Sequence, residues 1–274
     1  MGRAKDIIVK VIPAKVANEF VKKHHYSGKV VQNSSLHFGA FLDNKLHGVM
    51  SFGSPLDKRK VLPLVQPSLW NEMLELNRMA FDDYLPKNSE SRCISVAIRL
   101  LKKNAPHIKW ILSFSDGTQC GDGTIYRASG FVLTGANKNT QIWEAPNGAE
   151  FSRMSLTDGR SKQVQAQAKK VISRTTTTKG KHILDNGGAS MKMYINEGWK
   201  PKAGFQLRYI YLIDKTCKIT VPIIPFSKID ELGAGMYKGE KITLAERRKN
   251  AALAHKGEQP ADQPEGAFDS TMPP

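Results

Sequence analysis

The sequence predicts a mixed α/β fold, one central twisted sheet flanked by helices, on three observations. Alternating and β-branched runs recur between amphipathic stretches. Their order reads strand, helix, hairpin, strand, helix, strand, short helix, strand. A long helix between two strands makes one parallel step in the middle. At 274 residues the chain can form one large domain or two small ones around a core of ordinary size.

The first strand is the β-branched run "DIIVKVI", stopped by Pro13. From Pro13 to Tyr26 the spacing turns helical, with Val16, Phe20 and His24 on one ridge and Ala17, Val21 and His25 on the next, so both histidines continue the expected buried stripe. "SSLHFGAFLDN" and "KLHGVMSFG" alternate on either side of Asp43-Asn44, which predicts a β-hairpin with Leu36, Phe38, Ala40 and Leu42 on one face. "EMLELNRMAFDD" predicts a strand whose Leu74, Leu76, Arg78, Ala80 face carries one charge, and that arginine asks for an anionic partner. After Pro86, Asn88 or Ser89 can cap a helix in which Ile94, Ala97, Ile98 and Leu101 recur at core spacing until Pro106. "IKWILSFSD" then reads as a buried strand ending at Asp116, "DGTIYRASGF" as a short helix closed by Gly130, and "FVLTGANKNTQIWEAP" as a strand or hairpin.

The texture changes after that. Residues 1–146 form the expected catalytic core, and 147–204 a basic, partly flexible insertion with a polar helix "SKQVQAQAKKVI". Residues 205–230 return as the strand "FQLRYIYLI", and 231–274 form an extension whose Pro- and Glu-rich end is expected to be disordered.

Charge narrows the partners. A formal net charge of +16 favours a polyanion, with nucleic acid first, although charge that only keeps the chain soluble is the plain alternative. In the insertion, Lys162, Lys169, Lys170, Arg174, Lys179 and Lys181 can neutralise phosphates or form a solvated loop. The three cysteines, Cys93, Cys120 and Cys217, are far apart with no CxxC pair, which argues against a disulfide framework or thiolate zinc site. No signal core or membrane-length apolar run occurs, so a soluble cytoplasmic protein is expected.

Several residues could carry chemistry. "PKNSESRCIS" offers helix-start N–H groups, Ser89, Ser91 and Arg92, a set that suits phosphate or makes an ordinary capped helix. Asp116, at a strand end, can be a base, a metal ligand or a turn cap. Tyr126 can donate a proton or pack its ring, and His37 and His47 read as structural histidines.

The element order, "NSESR" and "TIYRASGF" resemble the GNAT-type N-acyltransferase fold. There, acyl-CoA pyrophosphate sits on the helix start and a tyrosine on the next helix acts as general acid. "HHYSGK", "LHFGAF", "SFGSPLDKRK", "ELNRMAFDDYLPKNSESR" and "SFSDGTQCGDGTIYRASGF" together are similar to the Mom family of phage DNA-modification proteins. The resemblance implies a transferase that places a methylcarbamoyl (acetamido) group on the exocyclic amine of adenine in double-stranded DNA, protecting phage DNA from host restriction in the host cytoplasm. It implies His25, Tyr26, Asp116 and Tyr126 for chemistry, and Arg78, Ser89, Ser91 and Arg92 for the cofactor, acetyl-CoA or a related donor. Imidazole, phenolate and carboxylate all ligate iron, so a bound iron acting with His25, Tyr26 and Asp116 is one proposal consistent with the residue types. An adenine in a duplex must also be flipped out. The oligomeric state stays open, a dimer included. An acetyltransferase acting on a protein or small-molecule amine is the alternative enzyme, and an inactive DNA-binding protein the second alternative.

Overall fold

The β-branched run after Asp6 forms β1 (Ile8–Val11), and Pro13, which has no N–H for a ladder, hands the chain to α1 (Ala14–His24). The hairpin β2 (Ser34–Leu42) and β3 (Lys45–Gly53) turns on Asp43 and Asn44, both at positive φ, as its two-residue turn requires. A connection carrying α2 (Lys58–Val61) and β4 (Val65–Gln66) leads to β5 (Met73–Phe81), α3 (Ser89–Asn104), β6 (Trp110–Asp116), α4 (Thr124–Ala128) and β7 (Val132–Lys138). Then come β8 (Ile142–Glu144), β9 (Glu150–Ser152), α5 (Arg153–Thr157), a helix Met191–Asn196, β10 (Lys200–Pro201), β11 (Phe205–Leu212), β12 (Lys218–Ile219) and a last helix Ser227–Glu231. This computed structural model describes residues 3–118, 121–157 and 191–234. They lie in one compact unit, Met1–Lys241, while a second unit, Ile242–Pro274, lies outside the described residues, as do the expected polar helix, the six insertion cations and the expected disordered end.

The central sheet has the order β1-β2-β3-β5-β6-β11-β7, and only the β5–β6 pair is parallel. The returning strand β11 therefore fits between β6 and β7. On one face, α3 buries Ile94, Ala97, Ile98 and Leu101 against the strands, the isoleucines and the leucine worth about 1.5–3 kcal/mol each. On the other, α1 packs Ala17 and Val21 over Val49 and Ala80, while Val61, Leu64 and Val65 cover Met73, Trp110 and Leu112. Among the described residues no helix is long and apolar enough to cross a membrane, and Cys93 and Cys217 are free and buried.

Four local expectations change. Val16 is exposed, because α1 meets the sheet chiefly through the Ala17–Val21 ridge, with Phe20 half-buried beside it. His25 is not helical: it caps α1 with φ −83° and ψ 135°, so helical spacing does not place its ring. Neither Asn88 nor Ser89 caps α3 with its side chain; Asn88 takes φ 69°, and the Ser89 hydroxyl turns back to the Pro86 carbonyl. Leu74, Leu76, Arg78 and Ala80 do not share a face. Ser51 pairs with Arg78 and Phe52 with Leu76, which leaves Asn77 as an extra residue, a β-bulge that reverses the alternation after it. Leu76 and Met79 pack toward α3, and Ala80 toward α1.

Part of the 147–204 segment has its own small core. β8, β9 and β10 form a three-stranded sheet, and Trp143, Leu156, Tyr194 and Trp199 are buried together. Asn139 ties this unit to the main sheet, donating 2.9 Å hydrogen bonds to the carbonyls of Ile142 and Lys202. The boundary at residue 147 falls inside the β8–β9 hairpin.

Candidate active site

The Asn77 bulge and the parallel step together create the opening. β5 and β6 pair only from Met73–Trp110 to Leu76–Ser113; past that point β5 keeps β3 alone and β6 keeps β11 alone. Separated strands expose backbone groups that need partners. The Ser113 hydroxyl meets one, donating to the Leu76 carbonyl at 3.0 Å. Asn77 accepts from Ser34 Oγ at 2.8 Å, but its buried Nδ2 finds no partner among the described residues.

The α1-side face of this opening collects half of the predicted residues. Leu74 and Leu76 belong to the α3-side core, which turns Glu75 to the opposite face, level with Leu112. After the bulge, Arg78 also lies on that face. Its Nε donates to the Lys29 carbonyl at 3.0 Å, so its partner is a backbone oxygen where alternation predicted an anion. Glu75 is pushed up to about 7, chiefly by burial, against the opposing pull of Arg78. Near neutral pH both its protonated and ionised forms are therefore populated, the property a general acid or base needs.

The α1–β2 turn supplies His25 and Tyr26. Gly28, at φ 58°, closes this turn on the His25 carbonyl at 2.8 Å. The Ser27 backbone N–H donates to His25 Nδ1 at 3.1 Å, and Ser27 Oγ lies 2.8 Å from the same nitrogen. Nδ1 thus holds the lone pair and Nε2 the ring proton. Burial first, and the Arg78 charge second, push His25 down to about 4, so its ring is neutral at physiological pH and offers Nε2–H as a donor. The Tyr26 ring lies 4.2 Å from the His25 ring, and its hydroxyl reaches Asp116 Oδ2 at 3.4 Å, a long contact. Asp116 Oδ1 accepts from the Thr118 backbone N–H at 3.0 Å and from the Thr118 hydroxyl. His24, by contrast, stacks on Phe20 at 4.3 Å.

Tyr126 stands apart. It is buried in the α3-side core against Tyr209 and Phe131, with centroids 5.3 and 5.6 Å away. The cofactor candidates at the α3 start are largely engaged: Ser89 is fully buried, Ser91 donates to the Asn88 carbonyl at 3.2 Å, and Arg92 donates to the Lys5 carbonyl at 2.8 Å. Thus His25, Tyr26, Arg78 and Asp116 converge, while Tyr126, Ser89, Ser91 and Arg92 occupy the α3 side. His37 and His47 are structural, at 2.8 Å from Ser51 Oγ and 2.9 Å from Asp82 Oδ2 respectively.

Sequence reasoning missed Glu75 and Phe114. Phe114 is 42% exposed on a strand inside the sheet, on the face of Leu112 and Asp116, and floors the opening that β5 leaves. The available signals were an acidic residue three before a lone arginine and an aromatic two before the strand-end aspartate.

The described residues lend the proposed iron no support. Among the described residues no three His, Cys, Asp or Glu side chains group as a metal site. His25 Nδ1 and Asp116 Oδ1 are also committed to neighbouring N–H and hydroxyl groups.

A profile of the Mom protein family matches residues 6–228. The chain belongs to the Mom protein family. Among its Mom relatives, the methylcarbamoylase Mom of Escherichia phage Mu is 36% identical over 138 residues, which is 50% of this chain and 57% of that one, so the match spans little more than half of the relative. Similar solved structures include the ribosomal-protein-S18-alanine N-acetyltransferase of Escherichia coli, at TM-score 0.40 and 9% identity over 76% of this chain and 94% of that one. A Bacillus subtilis acetyltransferase in complex with CoA has TM-score 0.35 and 12% identity, over 48% and 81%.

Proposed function

We propose that this chain is a DNA-modifying transferase that attaches a methylcarbamoyl group to the exocyclic amine of adenine in double-stranded DNA and so shields phage DNA from restriction. The observation that carries this reading is the Mom family match across residues 6–228, together with the name of the Mu relative, methylcarbamoylase. The net charge of +16 supports a DNA partner.

In this reading the flipped adenine enters the opening between β5 and β6 from the α1 side, over Phe114. The amine forms a new bond to the methylene carbon of the incoming group and loses a proton. Glu75, with its carboxyl group poised near 7, accepts that proton. The neutral His25 ring donates from Nε2 to an acceptor on the base or the incoming group. Tyr26 and Asp116 position the base edge, and Arg78 holds the turn carrying both aromatic residues through Lys29. The donor, a molecule related to acetyl-CoA, lies toward the α3 start, with Ser89, Ser91 and Arg92 shaping that region and Tyr126 meeting the leaving group from the α3 side. Acetyl-CoA alone supplies neither the amide nitrogen nor a displaceable group on its methyl carbon, so a donor carrying both is required.

Co-expression with a plasmid, digestion to nucleosides and mass spectrometry test this reading. Deoxyadenosine heavier by one methylcarbamoyl group is expected. Acetyl-deoxyadenosine, or unmodified nucleosides in a host that supplies the donor to the Mu relative, would overturn it. Glu75→Gln should lower modification by about 10²–10⁴-fold if Glu75 is the base.

A further inference from the structure

The connection between β3 and β5, residues 54–72, includes most of the "SFGSPLDKRK" motif, whose basic end has no role in the site described above. Its inner side is firmly held. Val61, Leu64 and Val65 are buried with Met73, Trp110 and Leu112; Trp110 Nε1 donates to Ser68 Oγ at 2.7 Å; and Lys109 pairs with Glu72 at 2.9 Å. Its outer side is unusual for such an anchored segment: Leu56, Leu69 and Trp70 are 74%, 63% and 64% exposed. Exposed apolar groups on an anchored scaffold mark a contact surface more than a loose loop does.

Three consecutive cations accompany them. Lys58 Nζ stands 4.3 Å above the Trp70 ring, Lys60 pairs with Asp57 at 3.0 Å, and Arg59 is exposed. The segment leaves the sheet at Gly53, which is in register with both Glu75 and Ser34, and the Asn33 amide binds the Ser54 carbonyl. Lys58, Arg59 and Lys60 stand five to seven positions beyond Gly53, so their backbones lie within about 25 Å of Gly53 even at full extension. A second copy is a poor occupant, since a two-fold contact would set the same basic triplet against itself. A duplex fits better. Its phosphates match the cations, and a flipped base leaves a gap that apolar side chains fill.

We propose that residues 55–70 form a duplex-gripping loop, in which Lys58, Arg59 and Lys60 hold phosphates beside the flipped adenine while Trp70 and Leu69 enter the stack it vacates. This rests on the reading of the neighbouring site as one that modifies DNA adenine. The test is binding of the full chain to a fluorescein-labelled duplex, followed by anisotropy across a salt series, with thermal melts of each variant as a folding control. Joint replacement of Lys58, Arg59 and Lys60 by Ala should reduce the slope of log affinity against log salt by about 2–3, at roughly 0.9 per phosphate contact. Trp70→Ala should weaken binding about tenfold, and Trp70→Phe should restore most of it. Wild-type slope and affinity in these variants would overturn the loop assignment, as would a wild-type dimer that Trp70→Ala dissociates without changing duplex affinity. The nucleoside assay separates the two ideas. Loop variants that bind normally, from a protein that does modify adenine, sink the loop alone; a wild type that binds duplex through this loop but modifies nothing sinks the site reading alone.

Discussion

Burial moves two side chains that both feel Arg78 in opposite senses. His25 falls from 6.5 to about 4, so the stability linked to its neutral form is present above 6.5 and is lost as pH falls toward 4. Glu75 rises from 4.5 to about 7, so its contribution is present below 4.5 and is lost as pH rises through 7. The two trends oppose each other in the wild type, and single variants should separate them. In thermal melts, Glu75→Gln should gain on the wild type as pH rises from about 4.5 to 7, and His25→Ala should gain as pH falls from about 6.5 to 4. Parallel melting curves at every pH would contradict both assignments. His25 was visible in the sequence as one of two histidines before a glycine, but its chemistry depends on the turn beyond the helix end, where Ser27 fixes the tautomer. Glu75 was not visible, because an acid in an alternating strand normally reads as the solvated face.

At the scale of elements, the bulge at Asn77 matters most. Strict alternation put Arg78 beside Leu76; one extra residue turns it to the α1 side, where it meets the Lys29 carbonyl. Deletion of Asn77 should restore alternation, drive Arg78 toward the α3 core and expose Met79 and Phe81, which insolubility or loss of a cooperative melt would report. The end of β3 is equally constrained. A side-chain carbon at Gly53 would overlap the Asn33 carbonyl, a backbone group that cannot swing aside. Gly53→Ala should therefore cost about 1–3 kcal/mol, lowering the melting temperature by about 2–4 °C per kcal/mol. The helices were legible from spacing and breakers, as with α3 between Pro86 and Pro106. Their ends were less so, because capping at Asn88 is settled by backbone angle and not by side-chain type.

Across the whole molecule, the central sheet faces outward at one interior strand. β6 is central, yet Phe114 is 42% exposed because β5 departs and neither α1 nor the β3–β5 connection covers the gap. Two residues beyond Phe114, Asp116 meets Tyr26 of the aromatic turn, and in the proposed reading this gap receives the flipped base. Composition, charge and periodicity determined the α/β class, the order of strands and helices, the basic character and the family motifs, because each depends on neighbours within a few residues or on sums over the chain. The tertiary structure alone decided that β11 enters between β6 and β7, that residues on either side of position 147 share one small core, and that Tyr126 lies across the sheet from Asp116. Those outcomes depend on strand register and on which face each side chain takes after a bulge, and a single inserted residue reverses the face without leaving a mark in local pattern.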